Sequence, residues 1–307
     1  MICAYCKEDK NSSKEHIISD SVLELFPECD LTIDSVRNRQ YKADPVIKDV
    51  CSNCNNNRLS YIDGYAKHMI SQYFAKAYEQ DDTLEFEYEY DKLLKVLMKF
   101  TYNDLRSHKN DISFFDKGVL EFLLNKEKKD IGKHVTVLGG LWVNTSPMPE
   151  YIFGNLKLRW VNGSIFLDNS MIKNVDYHTG RVFYREENKQ VVLKGLTMSY
   201  FFRFNSGLFV ILFWDSEETR YDNEKFLQLS YPYTLIDPTS NSVILERCTH
   251  AYNCHQPHLI DVSWGIGMAD ATNGMVSTDI NPIDIQKTLN EEWEKHEQEV
   301  RIKHKKE

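Results

Sequence analysis

The sequence predicts an α+β protein, and three observations carry that prediction. Two cysteine pairs, Cys3-x-x-Cys6 and Cys51-x-x-Cys54, lie within the first 60 residues and mark a metal-stabilised module with little core of its own. Apolar residues then recur at helical spacing, first Leu59, Ile62, Ala66, Met69, Ile70 and Tyr73, later Leu93, Leu94, Leu97, Phe100 and Leu105. Beyond Gly132 short apolar runs separated by turn residues take over, the pattern of a sheet.

In chain order, residues 1–6 form a first knuckle, followed by a polar turn through Lys7–Ser13. Ile17 and Ile18 read as a strand end, and Asp20–Phe26 as a short helix stopped by Pro27. Strand-like pieces fall at Leu31–Ile33 and Val46–Val50, and a helix is expected from Arg58 to about Gln80, with Asn55 at its mouth. Asp81-Asp82-Thr83 marks a boundary. Leu84–Tyr90 alternates apolar with acidic residues and predicts a strand; Asp91–Arg106 and Phe114–Lys126 predict helices. Strands follow at His134–Val143, Lys157–Val161, Ile165–Leu167, Gln190–Leu193, Leu227–Leu235 and Ser242–Arg247. Tyr200–Phe204 and Leu208–Trp214 flank Asn205-Ser206-Gly207, a hairpin turn. Pro282–Lys305 predicts a long amphipathic helix with a basic end. Three parts result: a module over 1–80, an α+β part over 81–281 with a helical segment and then sheet, and a terminal helix over 282–307.

Composition narrows the function classes. With 42% hydrophobic and 12% aromatic residues in 307, most of the chain has the material for packed cores. A net charge of −9 argues against a protein that grips nucleic acid over its whole surface. Seven cysteines, four of them in CxxC pairs, suit metal binding in a reducing compartment better than a disulfide scaffold. No basic-then-apolar leader precedes Cys3, and the most apolar run, Met198 to Trp214, is broken by Arg203, Asn205, Ser206 and Gly207. The expectation is a soluble cytoplasmic protein without a membrane partner.

The chemistry-bearing residues sit between and beside the cysteine pairs. Four thiolates complete a closed tetrahedral zinc site, which has no open position for substrate. Glu15 offers a hard oxygen ligand, His16 a base near neutral pH, and Asn55 a carbonyl oxygen next to a zinc cysteine. That set suits hydrolysis assisted by a second metal.

Read together, Cys3-Ala4-Tyr5-Cys6, Glu15-His16-Ile17-Ile18 and Val50-Cys51-Ser52-Asn53-Cys54-Asn55 resemble the four-cysteine branch of the HNH endonucleases, of ββα-metal type. The match covers roughly a fifth of the chain. The resemblance implies an N-terminal zinc-stabilised ββα-metal module, followed by a helical segment and a sheet-rich C-terminal domain of unassigned role. It implies a metal-dependent endonuclease acting on DNA, with Cys3, Cys6, Cys51 and Cys54 on structural zinc. His16 would be the general base, and Glu15 and Asn55 the ligands of a catalytic magnesium or manganese ion. Arg58 would hold a phosphate oxygen, and the products would be a 5′ phosphate and a 3′ hydroxyl. Glu15 stands where many members carry Asp. Nucleases so organised often serve bacterial defence or mobile elements, a setting in which the C-terminal domain would bind a regulatory protein or a second copy. Two alternatives remain open: a nuclease subunit gated by a partner, and a non-catalytic zinc-stabilised module binding nucleic acid or protein.

Outside this set, Asn56 is a possible substitute for Asn55, and Asp63 matches an acidic position of the same branch without an assigned role. Cys248, His250, Cys254, His255 and His258 form a second dense group of metal-ligating types in no recognised spacing. Cys29 reads as an ordinary buried thiol. The basic run Arg301–Lys306 reads as a solvated helix end.

Overall fold

The computed structural model describes residues 1–142 apart from 30, 31, 35, 36, 38, 43 and 80, then 157–162, 172–176, 181–184, 190–192, 194–230 and 233–248, with the single positions 298 and 302. Ile165–Leu167, nearly all of Pro282–Lys305, and His250, Cys254, His255 and His258 lie outside these residues.

The described chain mixes helices and antiparallel sheets. The first strand, β1 (Ser12–His16), is followed by a short helix α1 (Asp20–Leu23), a small hairpin of β2 (Thr32–Asp34) and β3 (Arg39–Tyr41), and β4 (Val46–Cys51). β1 and β4 pair antiparallel, with Glu15 opposite Ile47 and His16 opposite Val46; a bulge between Ser13 and Glu15 re-aims the end of the strand. The chain then enters a π-helical turn, Cys54–Arg58, the helix α2 (Ser60–Met69) and a second π-helical turn, Ile70–Phe74. The helix expected from Arg58 is thus present, framed by wider turns, and ends at Phe74. Inside it Ile62, Ala66 and Met69 are buried, as their spacing requires.

β5 (Leu84–Glu87) alternates buried and exposed residues as its sequence does. It leads into α3 (Tyr90–His108), which ends on Lys109 in the left-handed conformation, and α4 (Lys117–Leu124), capped by the Asp116 side chain accepting from Val119 N at 3.1 Å. α3 is buried on nearly every face from Leu93 to Leu105. The main sheet has five antiparallel strands in the order β13-β6-β12-β11-β7. These are β6 (His134–Leu141), β7 (Leu158–Asn162), β11 (Leu196–Phe204), β12 (Gly207–Trp214) and β13 (Thr234–Leu235). β12 lies at its centre and is buried along its whole length, which is why Leu208–Phe213 reads as a continuous apolar run. β8 (Ile172–Asp176), β9 (Arg181–Tyr184) and β10 (Gln190–Val192) form a separate three-stranded sheet, and β14 (Ser242–Leu245) pairs with β5.

Two expectations fail here. Ile17 and Ile18 lie in a bend just past β1, which ends at His16. Part of the strand expected over Leu227–Leu235 belongs to a helix, α5 (Glu217–Ser230), and only Thr234–Leu235 is strand. A local hydroxyl cap starts the helix: Thr219 N donates to Ser216 Oγ at 3.2 Å.

The core is one cluster from Cys3 to Leu245, continuous across the sequence boundary at residues 80 and 81. Phe74, at the end of the α2 segment, packs on Phe86 and on Phe209 of β12, with ring centroids 5.3 and 5.5 Å away. Its carbonyl accepts from Asn205 Nδ2 at 2.7 Å and Ser206 Oγ at 3.1 Å in the β11–β12 turn. Gly207 follows, where a Cβ would stand 2.6 Å from the Phe74 ring, so the close approach needs glycine. The change of character at 80 and 81 therefore separates two sequence patterns within a shared core.

α3 joins the sheet through Asp104. Its carboxylate accepts from Trp160 Nε1 at 2.9 Å and Tyr200 Oη at 3.0 Å, and lies 3.3 Å from His108 Nδ1; His108 Nε2 is 3.3 Å from Asp34. The bond to Asp104, against burial and with help from Asp34, raises the His108 imidazole above its ordinary value. A raised folded-state value means that the stabilisation is complete below the unfolded value of about 6.5 and is lost as pH rises through the folded one. Urea unfolding from mildly acidic to mildly alkaline pH is therefore expected to show a decline in stability above that point, flattened in His108→Gln. Equal slopes in the two proteins would remove His108 from this role.

Candidate metal centre and catalytic rim

The four cysteines of the paired motif converge. Cys3 and Cys6 flank the tight N-terminal turn, Cys51 ends β4 and Cys54 opens the first π-helical turn. Their sulfurs all lie within 4.8 Å of one another, with Cys6 Sγ 3.9 Å from Cys51 Sγ, near the edge of about 3.8 Å that a tetrahedron of zinc–sulfur bonds requires. All four are free thiols, and Cys3, Cys51 and Cys54 are buried. Backbone N–H groups point at the sulfurs: Cys51 N donates to Cys3 Sγ at 3.3 Å and Cys54 N to Cys51 Sγ at 3.5 Å. Burial works to raise the Cys3 thiol, but the N–H groups of Cys51, Cys6 and Tyr5 outweigh it and bring it down to about 7. Burial raises Cys6 and Cys54. The donor set fits a structural zinc ion, whose binding releases the remaining thiol protons.

β1 places Glu15 and His16 on opposite sides. Glu15 turns inward and is 2% exposed. Its Oε1 lies 2.8 Å from Lys99 Nζ and accepts from Asn103 Nδ2 at 3.1 Å, both on α3. Lys99 is fully buried and reaches Asp63 Oδ1 of α2 at 2.6 Å, so one ammonium bridges β1 and α2. Burial disfavours the Lys99 charge, but Asp63 and Glu15 reverse this and raise it. Burial likewise raises the Asp63 carboxyl against the pull of Lys99.

His16 turns outward with its side chain 25% exposed. Its Nε2 stands 3.8 Å from Asp20 Oδ1 at the start of α1 and 3.8 Å from Asp44 Oδ2 before β4. Asn103 Nδ2 donates to its backbone oxygen at 2.9 Å, which fixes the strand end. His16, Asp20 and Asp44 are the second group among the described residues whose ligand atoms come close enough to hold an ion.

Of the two residues expected to hold a second metal, Glu15 has its Oε1 shared by Lys99 and Asn103, and Asn55 donates its Nδ2 to Lys14 O at 2.6 Å and Ser13 Oγ at 3.2 Å, tying the cysteine turn to β1. Arg58 is half-buried in the last turn of that segment. Glu8 is held low mainly by Lys10, with a smaller contribution from Arg58. Cys29, expected buried, is half-buried, and its desolvation pushes the thiol up to about 12. Cys248 is buried, its Sγ 3.4 Å from Leu141 O, and a Cβ on Gly140 would stand 2.4 Å from it. Sequence reasoning missed Lys99, Asn103, Asp20 and Asp44. The one signal for Lys99 was its place, with Lys95, in the otherwise apolar segment Leu93–Phe100.

No protein-family model, no curated protein and no solved structure matches this chain at a significant level. Among the described residues, no helix is long and apolar enough to cross a membrane.

Zinc-loaded protein is expected to carry about one zinc per chain by elemental analysis. Cys54→Ser or prolonged chelation should remove it and lower the melting temperature by about 5–10 °C, for a loss of a few kcal/mol. A melting temperature indifferent to zinc would show that the four cysteines do not bind it.

Proposed function

We propose that the chain is an HNH-type endonuclease hydrolysing DNA phosphodiester bonds, with His16 as general base. The observation that carries this reading is the placement of His16. It ends β1, antiparallel to β4 and at the far end of that pair from Cys51, with its imidazole at the surface and two carboxylates next to it.

In this reading neutral His16 Nε2 takes the proton from an attacking water, and Asn103 keeps the end of β1 in place through the His16 carbonyl. Zinc on Cys3, Cys6, Cys51 and Cys54 pins β4 and the cysteine turn against β1. Asp20 and Asp44, not Glu15, are the carboxylates open to a magnesium or manganese ion. Such an ion, held by Asp20 and Asp44, would supply positive charge to stabilise the departing 3′ oxygen. Arg58 serves as a phosphate donor from the adjoining turn. Service in a defence or mobile-element system, with a regulatory partner or a second copy on the later strands, belongs to this proposal as well.

A second reading has an observation of its own. Glu15, the expected ion ligand, is closed off by Lys99 and Asn103, which favours a zinc-stabilised binding module without hydrolysis.

Supercoiled plasmid incubated with the zinc-loaded protein and magnesium or manganese distinguishes the two. The nuclease reading expects nicking or linearisation that falls at least about a hundredfold in His16→Ala of equal zinc content. Equal activity in the variant would reject His16 as base. No cleavage by either protein would favour the binding module or a partner-gated subunit.

A further inference from the structure

We infer that Lys99 is the resident cation of this site: its ammonium fills the place between Glu15 and Asp63 where two carboxylates would otherwise hold a divalent ion, so that external metal is excluded from Glu15. Its role in hydrolysis rests on the nuclease reading; its placement does not.

The argument begins with the carboxylates. Glu15 comes from β1 and Asp63 from α2, and they converge on one point from different elements. A buried carboxylate and a partly buried one brought together need a cation between them, because neither ionises freely beside the other. Lys99 meets that need from a third element, at 2.8 and 2.6 Å, with none of its side chain exposed. A divalent ion at the same point would face an ammonium at close range in a medium that screens poorly. It would also need several oxygen ligands, whereas Glu15 Oε1 is already shared between Lys99 and Asn103.

The difference is functional. An exchangeable ion is lost to a chelator or to low metal supply, whereas a lysine on α3 remains at all times. Lys99 is thus a positioning residue: it holds Glu15 inward, and the neighbouring residue on the strand, His16, consequently faces out. Asn103, one helical turn along α3, completes the clamp by binding both Glu15 and the His16 carbonyl.

The test is manganese binding to zinc-loaded protein, followed by the electron paramagnetic resonance signal of free Mn2+, with folding checked by circular dichroism. In the native protein, Glu15→Gln and Asp63→Asn are expected to leave Mn2+ affinity unchanged within about twofold. Lys99→Ala is expected to gain about one further Mn2+ per chain, lost again when Glu15→Gln is added, and to regain melting temperature on Mn2+ addition. A drop of about tenfold or more in Mn2+ affinity in folded Glu15→Gln or Asp63→Asn would place the ion at Glu15 and overturn the inference. A folded Lys99→Ala that takes up no further Mn2+ would overturn it too. Should Lys99→Ala fail to fold, the comparison of native protein with Asp63→Asn decides. None of these readings depends on cleavage, so a protein silent on DNA that shows the expected Mn2+ pattern keeps Lys99 as the resident cation and loses only the nuclease.

Discussion

A β-strand sends consecutive side chains to opposite faces, and at the end of β1 that rule separates Glu15 from His16. The bulge in the β1–β4 pair sets which of the two faces inward. Once Glu15 is inside, its charge must be matched, since an unpaired buried carboxylate costs several kcal/mol whereas a well-bonded pair comes close to neutral. Lys99 and Asn103 supply the match, and both belong to α3. The surface imidazole is therefore held in place by residues of a helix that the sequence assigns to another part of the chain.

The same helix connects the cysteine cluster to the main sheet. On one side Tyr102 Oη donates to Ala4 O at 3.0 Å inside the first cysteine pair, and Tyr5 Oη donates to Asn103 Oδ1 at 2.7 Å. Arg106 reaches Asp49 on β4 and lies over the rings of Tyr5 and Tyr102. On the other side Phe100 packs against Phe202 and Phe204, and Asp104 gathers Trp160 and Tyr200. A second lysine, Lys95, donates to the carbonyls of Asn125, Lys126 and Lys128, satisfying backbone groups just past the end of α4. Lys95, Lys99, Asn103 and Asp104 on this nearly all-buried helix each have specific partners, as burial demands.

How much of this was legible follows from the distance over which each feature is specified. The cysteine cluster was legible because the CxxC spacing is local and its chemistry narrow. So were α3, β5 and the β11–β12 hairpin, whose periods and turn residues are written in short windows; Asn205, at φ 53°, takes the left-handed conformation that the turn needs. α5 was missed because an apolar run near Phe226 and Leu227 suits strand or helix equally, and the hydroxyl cap at Ser216 decided between them. The partner of Glu15 was beyond local reading: Asn103 lies 88 residues further along the chain, and no spacing rule links the two. Asn55 has a second use that its type did not announce: its Nδ2 donates to a hydroxyl and a backbone carbonyl of β1, the ordinary use of asparagine where a chain turns.

A fixed ammonium and an exchangeable divalent ion shape a site differently. The ion offers two charges and open coordination positions, and draws phosphate towards itself. The ammonium of Lys99 offers one charge, shared between the buried Glu15 and the partly buried Asp63, so its work is architectural. Any chemistry at this end of β1 must then take place on the outer side, where His16 is flanked by Asp20 at 63% and Asp44 at 53% side-chain exposure. Those carboxylates repel a bare phosphate backbone, and metal ions or neighbouring cations such as Arg58 must offset that repulsion before DNA can approach. The nuclease and binding-module readings thus divide on the outer face of the strand, while the inner face serves both as the rigid frame that keeps the imidazole turned to solvent.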